Sequence, residues 1–310
     1  MPHILTLVAP AGQLSPAWLA PVRAALTALG GDCGTPAWLA EAEAVDLPFA
    51  HLAPEAATAA ARAALADAPI DVIAQPEAGR RKKLLLADMD STIVTSETLD
   101  ELAAEAGLKS EIAAITARAM NGELDFQAAL RARVARLKGL PEAALARTWA
   151  TTELMPGAAT LVATMRAAGA HAALVSGGFT FFTGRVAALV GFHEHHSNIL
   201  GLADGALDGT VAEPILGSDA KLATLKRLAG GLGLALAETL TVGDGANDLP
   251  MLLAAGLGVA FRAKPVVRAQ ARAQVVHGDL TALLFAQGFR RDEFVHSLDR
   301  KTKHSSGGLR

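Results

Sequence analysis

The chain has 310 residues, enough for one large domain or two, and apolar residues make up 51% of it. A formal net charge of −3 supplies no global basic field and argues against nucleic acid as the main partner. A single cysteine, Cys33, excludes an internal disulfide and suits a reducing cytoplasm; Met1-Pro2-His3 lacks the basic start of a signal peptide, and no apolar stretch approaches the ~18–20 residues of a membrane span.

In chain order, residues 4–8 read as a strand and residues 16–29 as a helix. A second strand over 45–49 leads to an alanine-rich helix over 54–65, and residues 70–74 read as a closing strand. These make a small α+β module over residues 1–77, with Trp18 and Trp38 expected as core residues rather than ligand contacts. Residues 75–83, with Pro76, Gly79 and a basic run, read as a solvated linker. From residue 84 strands alternate with helices, the pattern of a parallel α/β sheet, and a helical block at about 98–150 interrupts the alternation. Residues 198–216 read as an inserted hairpin with Asp208-Gly209 as its turn. The main domain is thus 78–290, and the polar stretch 291–310 reads as a partly disordered tail.

The densest chemistry lies in Asp88-Met89-Asp90-Ser91-Thr92, directly after the apolar run 84–87. Two carboxylates one residue apart are costly beside a core unless something uses them, and a cation together with phosphate chemistry would use both. An acidic turn whose Ser and Thr cap a helix is the plain alternative. Three later segments weigh against it. The run 172–175 leads into Ser176-Gly177-Gly178, and Lys221 precedes a helical pattern through Leu222, Leu225 and Leu228. The run 239–242 leads into Gly243-Asp244-Gly245-Ala246-Asn247-Asp248. Taken in order these are an Asp pair, a Ser-Gly pair, a Lys and an Asp cluster, each at an element boundary.

This set resembles the signature of the haloacid-dehalogenase-like phosphohydrolases, and the strings DMDSTIVTSETLDELA, LVSGGFTFF and TVGDGANDLPML are similar to the phosphoserine phosphatase family. The resemblance covers roughly residues 80–285, and the N-terminal module is similar to the ACT domains that precede some of these enzymes. It implies a Rossmann-like parallel sheet with a mobile helical cap over the active site. It also implies Mg²⁺-dependent hydrolysis of O-phosphoserine to serine and phosphate, the last step of serine biosynthesis, through an aspartyl-phosphate. Asp88 would be the nucleophile, and Asp90 the general acid and then the base. Asp88, the Asp90 carbonyl and Asp244 would hold Mg²⁺, Asp248 would orient a metal-bound water, and Asn247 would contact the phosphate. A homodimer through the N-terminal module is the oligomer such a resemblance allows.

The residues themselves add further expectations. Ser176 supplies a hydroxyl, and Gly177 lets the backbone approach a phosphate oxygen. Lys221 near a helix start opposes the helix dipole, a placement that suits an anion partner. Phe126, Leu130, Val134 and Leu137 form one helical stripe. At 100° per residue Arg133 falls about 20° from Phe126, inside the stripe, and Arg131 about 140° away. An arginine on an apolar face needs a partner, and a substrate carboxylate is the natural one; snorkelling suits Arg131 and Arg136. Glu97, just ahead of a capping box Thr98-x-x-Glu101, is free to receive an ammonium group. Met120 and Phe126 would flank the substrate, though on periodicity alone they are core residues. His193, His195 and His196 match no zinc spacing and read as a hydrophilic loop. A phosphatase for another small ester, such as phosphohomoserine, phosphoryl transfer to an alcohol, and an inactive amino-acid sensor are the alternative readings. Intact Asp88, Asp90, Ser176, Lys221 and Asp244 argue against the last.

Overall fold

Strands β1 (His3–Val8), β2 (Asp32–Cys33), β3 (Ala37–Ala40), β4 (Ala44–Ala50) and β5 (Asp71–Pro76) form one antiparallel sheet, interleaved with helices α1 (Leu19–Ala28) and α2 (Pro54–Leu65). The structure is a computed structural model and describes residues 1–121 and 123–296, the side chain of Met120 excepted. The sheet order is β2-β4-β1-β5, with β3 beside β4, which is the order of a ferredoxin-like module. Helix α2 has Pro54 in its first turn with Glu55, and Arg62 in its last, the charge order that suits a helix dipole. Trp18 and Trp38 are partly buried against the module's own core.

Both faces of this sheet are covered, and the two faces differ in chemistry. Leu5, Leu7, Val45, Leu47, Phe49 and Val72 pack under α1 and α2. The alternate positions Val8, Ala44 and Ile73 belong to the core of the second half of the chain. Polar groups on that second face are fully engaged. Gln75 donates to the Ala286 carbonyl at 2.6 Å, and the Asp71 carboxylate accepts the backbone N–H groups of Val276 (2.7 Å), His277 (3.2 Å) and Gly278 (2.8 Å). The expected linker, residues 75–83, is solvated only in part: 76–79, Arg81 and Lys83 are exposed, but the segment is pinned to the fold. Gln75 and Pro76 belong to β5, and Arg80 pairs at 2.7 Å with buried Asp46, which also accepts from Thr6. Arg81 lies 4.1 Å over the Phe289 ring and pairs with Glu293.

The second half begins with β6 (Leu84–Ala87), followed by helices α3 (Thr98–Ala104), α4 (Lys109–Met120), α5 (Phe126–Ala135) and α6 (Ala143–Thr151). Then come α7 (Ala158–Ala167), β7 (His171–Phe179), α8 (Thr180–Val190), β8 (Glu194–Asn198), β9 (Leu200–Ala203), β10 (Ala206–Val211) and α9 (Ser218–Gly231). The chain continues through β11 (Thr239–Gly243), α10 (Leu249–Ala254), β12 (Leu257–Phe261), α11 (Pro265–Arg268), β13 (Ala273–Val275) and α12 (Ala282–Ala286). Six of these strands make a parallel sheet ordered β13-β12-β11-β6-β7-β8. Its central strands are buried on both faces, which is why they read as unbroken apolar runs. The block α3–α6 stands outside the alternation as the expected helical cap.

Three local expectations are corrected. The hairpin β9–β10 turns at Asp204-Gly205, both at positive φ (53° and 75°), whereas Asp208-Gly209 lies on β10 where the register shifts. Residues 194–198 form the edge strand β8 rather than a loop, and Glu194 there sits 2.7 Å from both His171 and His196. The stretch from Arg291 is anchored at its start. Residues Arg291–Glu293 form a 3₁₀ turn, Arg291 pairs with Glu43, and Phe294 is buried against Phe285. The rest of the tail, residues 297–310, lies outside the described residues. Among the described residues no helix is long and apolar enough to cross a membrane.

The Asp71 carboxylate gives a first test. Asp71→Ala strands three backbone donors at the junction of the two sheets and should lower stability to urea by about 2–3 kcal/mol. Exposed Asp67→Ala should change it by less than about 0.5 kcal/mol.

Candidate active site

The carboxyl ends of β6, β7 and β11 converge, as expected for ligand sites of open α/β sheets. Asp88 leaves β6, Ser176 lies near the end of β7, and Asp244 follows β11. Lys221, in the first turn of α9, reaches this point from behind and is fully buried. Its Nζ lies 2.8 Å from Asp88 Oδ1 and 2.6 Å from Asp248 Oδ1, and the other Asp248 oxygen accepts the Gly245 N–H at 3.0 Å. Burial and the neighbouring Asp248 push the Asp88 carboxyl up, while Lys221 pulls it down.

Asp244 is in a different position. Among the described residues both of its oxygens are buried without a hydrogen-bond partner, and the Lys264 ammonium stands 3.8 Å away. Burial, Glu97, Asp248 and Asp88 all raise its pKa. Asp88, Asp244 and Asp248 each offer an oxygen within 4.8 Å of the others. Clustered carboxylate oxygens with unsatisfied lone pairs fit a hard divalent cation. Asp248, expected to act only through a water, thus contributes an oxygen to the same cluster.

Asp90 is held from both sides. Its Oδ1 accepts the Thr98 N–H at 2.8 Å and its Oδ2 accepts the Ser176 hydroxyl at 3.0 Å. Burial nevertheless raises its pKa. The anticipated capping box is absent, because Thr98 is the first residue of α3 and Asp90 satisfies its N–H. Glu101 pairs with Lys109 instead at 2.8 Å. Glu97 occupies the N-cap position without capping and accepts the Ser91 hydroxyl at 2.5 Å. Burial, reinforced by Asp90, pushes its carboxyl up to about 7.

Two glycines keep this floor open. A Cβ at Gly177 would lie 2.5 Å from the Phe126 ring, and one at Gly178 would lie 2.9 Å from Asp90 Oδ2 and 3.0 Å from Ser176 Oγ. Gly178 also donates its N–H to Ser176 Oγ at 2.8 Å, a role that sequence reasoning missed.

The cap closes the cleft from the other side. Arg133 is 6% exposed and lines the cleft with Phe126 and Leu130, whereas Arg131 faces outward and pairs with Glu213 at 2.6 Å. Arg136 is likewise exposed and pairs with Glu111. Asp88, Asp90, Glu97, Arg133, Ser176, Gly177 and Asn247 all line this one cleft, with Asp244 and Lys221 buried beside it. The Asn247 Oδ1 atom is buried without a partner among the described residues. Asp100 and Thr116 were not anticipated. Arg133 donates to Thr116 Oγ1 at 2.8 Å, and Thr116 donates to Asp100 Oδ1 at 2.6 Å. The Met120 side chain lies outside the described residues.

A six-stranded parallel sheet with a helical cap and this ordered set of strand-end groups defines a phosphatase of a known class. Residues 85–253 match the model of the haloacid dehalogenase-like hydrolases, and the chain belongs to that family. Within it, the chain is 47% identical over 199 residues to a phosphoserine phosphatase of Streptococcus thermophilus, covering 64% of this chain and 93% of that protein. It is 42% identical over 234 residues to a phosphoserine phosphatase of Streptomyces coelicolor, covering 76% of this chain but 57% of that longer protein. A HAD-family hydrolase structure from Salmonella enterica serovar Typhi superposes with a TM-score of 0.80 at 31% identity, over 92% of this chain and 98% of the other. The structure of a phospho-aspartyl intermediate analogue of phosphoserine phosphatase superposes with a TM-score of 0.64 at 38% identity, over 66% and 97%.

The unpartnered Asp244 carboxylate yields a prediction of opposite signs. With chelator present, Asp244→Asn removes a buried like charge and should raise stability by about 1–2 kcal/mol. The rise in Tm that a divalent cation gives the parent protein should vanish in the variant. Thermal unfolding with and without the cation measures both.

Proposed function

We propose that this protein is a Mg²⁺-dependent phosphoserine phosphatase that converts O-phosphoserine and water to serine and phosphate, the last step of serine biosynthesis. The observation that carries this reading is one cleft holding Asp88 and Asp90 beside a carboxylate, Glu97, and a buried arginine, Arg133. The first pair serves phosphoryl transfer. The second pair matches the ammonium and carboxylate of an amino acid.

Asp88, with the Lys221 ammonium 2.8 Å from its Oδ1, attacks phosphorus and forms an aspartyl-phosphate. Asp90, whose pKa burial raises, delivers a proton to the serine oxygen as the ester bond breaks. Asp90 then takes a proton from the water that hydrolyses the aspartyl-phosphate. Asp88, Asp244 and the Asp90 carbonyl would hold Mg²⁺, with Asp248 beside them, and the ion would supply positive charge against the phosphoryl oxygens. The Ser176 hydroxyl, the Gly177 backbone, the Lys221 ammonium and the Asn247 amide bind the phosphoryl group.

Residues 78–290, with the cap at about 98–150, carry the catalysis, and residues 1–77 add no lining group to the cleft. Pairing of two copies through the ACT-like module is part of this proposal, resting on its ferredoxin-like strand order. A cytoplasmic location rests on the single cysteine, and the absence of a nucleic-acid partner on the slightly negative net charge.

Phosphate release from a panel of phosphoesters, with and without Mg²⁺, tests the reaction. Asp88→Asn should fold normally and retain less than about 1% of turnover, since an amide cannot attack phosphorus. Arg133→Ala should lower kcat/KM for phosphoserine by roughly 30- to 1,000-fold and barely affect phosphoethanolamine, which lacks the carboxylate. Arg131→Ala, on the outer face of the same helix, should leave both nearly unchanged.

A further inference from the structure

Arg133 reaches the Asp100 carboxylate only through a hydroxyl. Its Nη1 donates at 2.8 Å to the Thr116 hydroxyl, which in turn donates at 2.6 Å to Asp100 Oδ1. The direction is fixed by chemistry. A guanidinium has no acceptor, so Thr116 must accept from it; its one hydroxyl proton has two acceptors in reach, Asp100 Oδ1 at 2.6 Å and the Ile112 carbonyl at 3.1 Å, and the shorter contact to the charged carboxylate takes it. A second restraint comes from Nε, which donates to the Ala129 carbonyl at 3.2 Å. The other N–H groups of Arg133 find no partner among the described residues, and the side chain lines the cleft.

All three groups are buried: Asp100 is 8% exposed, Thr116 4% and Arg133 6%. They come from α3, α4 and α5, so one hydroxyl ties three cap helices together at the substrate end of the cleft. A direct Asp–Arg pair would engage the guanidinium fork bidentately and close it to any other anion. The intervening hydroxyl uses one N–H, aims the fork, and leaves its open side for the ligand.

We infer that Thr116 and Asp100 are positioning residues for substrate specificity, holding the Arg133 fork open toward the substrate carboxylate. The inference rests on the assignment of Arg133 to that carboxylate. Thr116→Val keeps the shape and removes the relay. It should raise KM for phosphoserine about tenfold, change kcat by less than about twofold, and leave phosphoethanolamine kinetics unaltered. Thr116→Ser restores the hydroxyl and should recover most of the KM. Asp100→Asn still accepts from Thr116 but without charge, and should raise KM about threefold.

A purely structural role predicts something else, namely equal losses for both substrates, and that result overturns the inference. So does an unchanged phosphoserine KM in Thr116→Val or, should that variant fail to fold, in Asp100→Asn. Arg133→Ala separates the two levels. If it harms both substrates equally, the carboxylate assignment fails and the inference with it. If it harms phosphoserine alone while Thr116→Val harms neither, only the inference fails.

Discussion

A buried ammonium between two carboxylates holds this site together. Lys221 is fully buried with Asp88 and Asp248 at hydrogen-bond distance, and its own charge is held firmly on by them. Removing the ammonium would leave two buried carboxylates without their counter-charge, a loss that typically costs about 3–5 kcal/mol. The lysine also sits in the first turn of α9, where a helix dipole disfavours a cation by up to roughly 1 kcal/mol. The closer carboxylates outweigh that penalty. They leave Asp244 as the carboxylate of the cluster without a hydrogen bond among the described residues, so the cluster has negative charge to spare for a cation.

The rigidity behind this cluster comes from two sheets that share apolar packing. Val8, Ala44 and Ile73 of the N-terminal sheet fall within the same core as Leu85 and Ala87 of the catalytic sheet. The polar groups between them, Asp71, Gln75 and Asp46, each have partners that only the other half or the connecting segment supplies. A module that merely hung from a linker would keep its polar groups for water. The N-terminal module here is a structural neighbour of the catalytic sheet, and a ligand that distorted β5 would be felt at residues 276–278.

The catalytic floor was legible in the sequence because phosphoryl transfer needs polar atoms at the ends of apolar strands, and those endings stand out. Asp88, Ser176 and Asp244 were recognisable in that way, and Lys221 as a cation set against a helix start. Arg133 was legible for another reason, since helical geometry alone separates it from Arg131. What was hidden has a common cause. Asp100 and Thr116 are ordinary polar residues of separate helices and acquire meaning only where the helices cross. Gln75 and Arg80 looked like polar residues of a linker, and Asp71 like an ordinary strand residue, because their partners lie about two hundred residues on or, for Arg80, thirty-four back. The sequence holds two Asp-Gly pairs in the hairpin, and only the strand register selects Asp204-Gly205.

The contact between Gly177 and Phe126 binds the histories of two positions on different parts of the fold. The ring occupies the place where any side chain at 177 would begin, so residue 177 cannot grow while an aromatic stands at 126. Shrinking residue 126 first would open a gap in the cleft wall, which a larger residue at 177 could then fill from the opposite side. Substitutions at the two sites are therefore ordered, and a change harmless in one background is harmful in the other. Recasting this cleft for a bulkier substrate would have to begin on the cap, at Phe126, and reach the strand afterwards.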